Sequence, residues 1–112
     1  MRMKLTLSML LLAASCAAQI IALNEFEVRK GKDLTAHVTS LADQVTHLNL
    51  AIDAEQDAKK KQALTDRRDK LTPQLTTATA AAQKWCTDVL ASRKQDASKN
   101  TCDWNAGQIV NK

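Results

Sequence analysis

Turn-forming and aromatic residues are scarce in this 112-residue chain: it has two glycines and one proline, and its aromatics are Phe26, Trp85 and Trp104, with no tyrosine. A β-sandwich or α/β sheet needs frequent turns and strands rich in aromatic and β-branched residues, so that composition argues against both. Gly31 and Gly107 are too far apart for a glycine-rich phosphate loop, and no N-x-[ST] acceptor occurs. Charge of one sign is also missing. Of the 16 Lys and Arg, Arg2 and Lys4 precede every acidic residue, leaving 14 bases against 12 acids in the rest, which is no footprint for nucleic acid. What remains is rich in Ala, Leu, Lys and Gln and has room for one small core. The expected fold class is all-α, a small helical hairpin or short bundle with coiled-coil-like seams.

The first residues follow the order of a secretory leader: a basic start at Arg2 and Lys4, an apolar run from Leu5 to Leu12, then small residues. Cys16-Ala17-Ala18 meets the small-residue requirement for a cut after residue 18, with a cut after Ala22 as the alternative. Ala13-Ala14-Ser15-Cys16 also has the form of a bacterial lipobox, in which Cys16 would carry lipid, and Leu5 to Leu23 is uncharged over nearly the length that spans a bilayer. Under each reading the residues after about 24 lie outside the cytosol, because the bases stay inside. The expected location is secreted, with a periplasmic or membrane-anchored protein as the alternative.

Once Cys16 leaves with the leader or is lipidated, Cys86 and Cys102 remain, in no CxxC arrangement. In an oxidising compartment they are expected to pair. The closed loop of about 15 residues would then stabilise the fold by about 3 kcal/mol.

Residues 19–32 read as a linker and 33–112 as a helical domain. In that domain Leu34, Val38, Leu41, Val45, Leu48 and Ile52 alternate in steps of four and three, a heptad seam suited to a protein partner, to self-association or to burial within the chain. Gly31 reads as a helix breaker, and Asp33 after it is the expected N-cap. Residues 53–63 read as a solvated helical stretch with Glu55–Lys59 and Asp57–Lys61 pairs. A second seam runs through Leu64, Leu71, Ala78 and Trp85 with Leu75, Ala82 and Val89, interrupted by Arg68. At 100° per residue it lies about 120° around from the first, so the chain must bend between them. Thr72-Pro73 is the expected bend, with Thr72 as N-cap and Pro73 at the first helical position, giving helices of about 33–71 and 73–95, and a bend within 57–63 is the alternative. Residues 96–112 read as a loop segment in which Trp104 and Trp85 flank the disulfide, as core or as partner anchors.

His37 and His47 lie ten residues apart and do not form an i, i+4 metal pair, and neither Ser92 nor Ser98 joins a nucleophile–base arrangement. A hairpin this small also leaves little room for a ligand pocket. No catalysis, metal or cofactor is expected. The expected function is that of a secreted helical protein that binds another protein. The alternatives are an anchored envelope protein with an extracytoplasmic coiled coil, touching a membrane only through a retained leader or a lipidated Cys16, and a small carrier of apolar ligands.

Overall fold

The computed structural model describes residues 20–112; the cut after residue 18 and the lipidation of Cys16 lie outside them. In chain order the elements are strand β1 (Ile21–Ala22), helix α1 (Glu25–Ala54), helix α2 (Ala58–Ser92), strand β2 (Asn100–Asp103) and strand β3 (Gln108–Asn111). The fold is therefore mostly helical rather than purely all-α. Residues 96–112 are not a loop segment, because they carry a β-hairpin to which the start of the chain adds a third antiparallel strand, in the order β1-β3-β2.

Helix α1 starts eight residues earlier than Asp33. Asn24 caps it: its side chain accepts from the Glu27 N–H at 2.8 Å, and the Glu27 carboxylate accepts from the Asn24 N–H at 2.9 Å. This reciprocal capping box satisfies two donors that a helix start otherwise leaves open. Of the span expected as a linker, Ile21–Ala22 form a strand and the residues from Glu25 onward belong to the helix. Gly31 lies inside the helix and breaks nothing, since the backbone bonds on both sides hold and its missing side chain is used for packing.

The bend falls at Glu55-Gln56-Asp57, not at Thr72-Pro73. Asp57 caps α2 by accepting from the N–H groups of Lys59 and Lys60, and Glu55 accepts from the Asp57 N–H, so neither acid makes its expected pair with a lysine four residues on. The phase shift between the two seams has to be taken up between Ile52 and Leu64, and this turn takes it up. Pro73 then sits on the exposed side of a continuous helix, where the Asp69 carbonyl left without its N–H donor can turn to water. Thr72 does not cap; its hydroxyl donates back to the Arg68 carbonyl at 2.9 Å. Thr65, Thr76, Thr79 and Thr87 make the same bond to the carbonyl four residues earlier. These five hydroxyls are thereby used up within a helix whose intrinsic propensity threonine lowers.

At 1.5 Å per residue the helices are about 45 and 52 Å long. They run antiparallel, as the bonds from Arg68 to Asn49 near the turn and from Trp85 to Glu27 at the far end require. Leu41, Leu48 and Ile52 from α1 and Ala78, Val89 and Leu90 from α2 are buried, and Ile109 of the sheet closes the core at the open end. Leu34, Val38 and Val45 are half-buried, as are Leu64, Leu71, Leu75, Ala82 and Trp85 of the second seam.

Helix α2 ends in a Schellman motif: Gln95 N–H donates to the Leu90 carbonyl and Lys94 N–H to that of Ala91. Its left-handed position is held by Lys94, at φ 56°, where glycine is usual. Asp96 then folds the chain back by accepting from the N–H and hydroxyl of Ser98. Those two bonds, the hydroxyl's first, hold its carboxyl below the ordinary aspartate range.

Candidate binding surface at the base of the hairpin

The open end of the hairpin, where α1 begins and α2 ends, collects most of the chemically distinctive side chains. The Cys86–Cys102 disulfide joins α2 to β2 across a Cα–Cα distance of 5.8 Å and fastens the sheet to this end. Trp85 and Trp104 meet α1 in different ways. Trp104 lays its indole against Gly31, filling the space that a side chain there would need. Trp85 donates its indole N–H to the Glu27 carbonyl at 3.1 Å, so the polar end of the ring is satisfied in a half-buried place.

The outer side of Trp85 is built up by two neighbours from α1. Phe26 meets it edge to face, with ring centroids 6.0 Å apart and planes at 89°, and the Lys30 ammonium stands 4.1 Å from the Trp85 ring centroid. Positions 26 and 30 are one helical turn apart, so one face of α1 presents both. The T-shaped pair and the cation over the ring are both favourable geometries and restrict three side chains that would otherwise be loose. Phe26 nevertheless stays 67% exposed.

Behind this platform Glu27 is 7% exposed and receives the Arg93 guanidinium as well as the Asn24 N–H. The other arm of Arg93 donates to the Ala22 carbonyl at 3.2 Å. One side chain at the end of α2 thus holds β1 and the first turn of α1, which fixes the backbone carrying Phe26 and Lys30.

A second feature runs along the flank of α1. An open groove of about 1210 Å³ is lined by Leu48, Leu71, Val110 and Trp104, with Lys32, Arg67 and Asp103 among its polar residues. So small a hairpin was expected to leave little room for a pocket; the groove is bounded by α1, by Arg67 and Leu71 of α2, and by Thr101–Asn105 and Val110 at the sheet. His47 lines it and hydrogen-bonds the Asp43 carbonyl through Nδ1 at 2.7 Å, while His37 is exposed elsewhere on α1. Ser92 donates to the Val89 carbonyl and Ser98 to Asp96, so neither hydroxyl faces a histidine. Among the described residues no three His, Cys, Asp or Glu side chains cluster as metal ligands, and no helix is long and apolar enough to cross a membrane.

Sequence reasoning singled out both tryptophans and the disulfide, and the structure brings them to one end. It did not find Phe26, Lys30, Glu27 or Arg93. A signal for Phe26 and Glu27 existed in Asn24-Glu25-Phe26-Glu27, whose Asn and Glu have capping-box spacing. No pattern pointed to Arg93, which acts across 66 residues.

No protein-family model, curated protein or solved structure matches this chain.

Proposed function

We propose that the protein is exported and acts by binding another protein through the platform of Phe26, Lys30 and Trp85, without catalysis. The observation that carries the reading is the exposure of Phe26. A large apolar side chain is held in water against a second aromatic ring, on backbone locked by the Arg93–Glu27 pair and by the nearby disulfide. Rigid aromatic groups of this kind are typical anchors, because little side-chain freedom is lost when they dock. The matching partner offers an apolar pocket for Phe26 and a carboxylate near Lys30. The seam Leu34–Ile52 is a weaker candidate for a partner or for self-association, since Leu41, Leu48 and Ile52 are buried in the hairpin. Sedimentation of the exported chain as a monomer at high concentration is the expected result.

A photo-cross-linker placed at position 26 of the exported chain, applied to the extracellular proteins of its native producer, is expected to give one discrete adduct. That adduct is lost when Lys30 and Trp85 are replaced by alanine. The same cross-linker at exposed Gln62 near the hairpin tip should give none, and equal labelling from both positions would refute the platform as the binding surface.

A second reading, a tethered spacer in the cell envelope, is favoured by one observation. The chain enters beside the sheet, and the turn at 55–57 lies about 45 Å away at the other end of α1. A retained or lipidated leader found by intact mass would select it.

A further inference from the structure

Strand β1 is tied into the fold by more than its two residues suggest. Ile21 pairs with Ile109 and Ala22 with Gln108, on the central strand of the sheet. The Leu23 N–H donates to the Gly107 carbonyl at 2.9 Å, and the Ala22 carbonyl accepts from Arg93 at 3.2 Å. Ile109, 5% exposed, belongs to the core. A chain that began at residue 23 would leave β3 with one neighbour and Arg93 with one fewer acceptor, and would uncover the side of Ile109 that faces Ile21.

Strand β3 covers Gln108–Asn111 and β1 reaches its first half, so every pairing that β1 makes is carried by the two residues Ile21 and Ala22.

We infer that the leader is cut between Ala18 and Gln19, so that the mature chain keeps Ile21 and Ala22, an edge strand the fold requires. The inference rests on the reading of the protein as exported. In the step itself a signal peptidase adds water across the Ala18–Gln19 amide; the C–N bond breaks, Ala18 keeps the new carboxylate and Gln19 the new amine. Small residues stand one and three positions before this bond, Ala18 and Cys16, as that class of enzyme needs. The competing bond after Ala22 has branched Ile20 at the third position and lies inside the folded sheet.

The test is the intact mass of the exported product when the full chain, with its own leader, is expressed in a bacterial host. The expected product begins at Gln19, either as such or lighter by the one ammonia that an N-terminal glutamine expels when its amine closes on its own side-chain amide. A folded product beginning at Leu23 overturns the inference and leaves export standing. A full-length chain, or one carrying lipid on Cys16, overturns the reading of a cleaved, secreted protein and the inference with it. As a second measurement, chains starting at 19 and at 23 are exported behind a foreign leader and melted. The shorter is expected to melt at least about 5 °C lower or to fail to fold, as loss of about 1 kcal/mol does in a domain of this size. Equal melting temperatures would overturn the structural requirement for the strand.

Discussion

The indole of Trp104 lies flat against Gly31, inside the volume that a side chain at position 31 would occupy. A glycine within a helix costs about 1 kcal/mol relative to alanine, so Gly31→Ala in a free helix would stabilise. Here the methyl group would meet the ring, and the expected outcome is a net destabilisation of about 1–3 kcal/mol in denaturant unfolding. The combination with Trp104→Ala should cost clearly less than the two single changes added together, because the clash disappears with the ring. Additive losses would show that the contact does not set the position of Trp104.

Lys94 occupies a left-handed backbone position that glycine reaches without strain. Lys94→Gly is expected to raise stability by about 0.5–1 kcal/mol, read as a higher urea midpoint at unchanged slope. A fall in the midpoint would mean that the lysine side chain makes a contact of greater worth than the strain.

Pro73 removes one backbone bond from α2 on its solvent side. Pro73→Ala should therefore stabilise, by about 1–3 kcal/mol, and calorimetry would show it as a higher Tm. An unchanged Tm would mean that the helix has already relaxed around the ring.

Cys86 and Cys102 enclose a short loop, and replacing both with serine is expected to lower stability by about 3 kcal/mol. The loss should appear first at the sheet. Hydrogen exchange of the Val110 and Thr101 amides should quicken more than that of Leu48 and Ile52 near the turn.

Asp96 is held below the ordinary aspartate value of about 3.9 by the Ser98 hydroxyl first, then by the Ser98 N–H. A depressed folded-state value contributes stability that is present above the unfolded value and fades as the pH falls through the folded one. Carbon-detected NMR titration is expected to place the Asp96 midpoint below 3.9. Ser98→Ala should move it part of the way back, since the N–H remains. A midpoint unmoved by that change would assign the shift to something other than the serine.

The two helices and the disulfide were legible because each rests on local repetition or on compartment chemistry. The steps of three and four through Leu34–Ile52 and Leu64–Val89 mark the residues that the hairpin now buries or half-buries. The phase difference between them required a bend but did not locate it. Pro73 drew the bend toward itself, although a proline on the outer face of a helix costs one intrahelical bond and leaves the freed carbonyl able to turn to water. Gly31 misled for a related reason: a glycine reads as a breaker unless the residue packed on it is known, and Trp104 lies 73 positions away. The sheet was hidden because strands of two and four residues have no periodicity to read, and their pairing joins the two ends of the domain.

That pairing has a topological consequence. Ile21 lies across from Ile109, so the two ends of the described chain meet side by side, while the three-residue turn at Glu55–Asp57 stands free at the other end. A circular permutant, with Lys112 joined to the start of β1 by a short glycine linker and new ends opened at Gln56, would keep every strand pair and both helices.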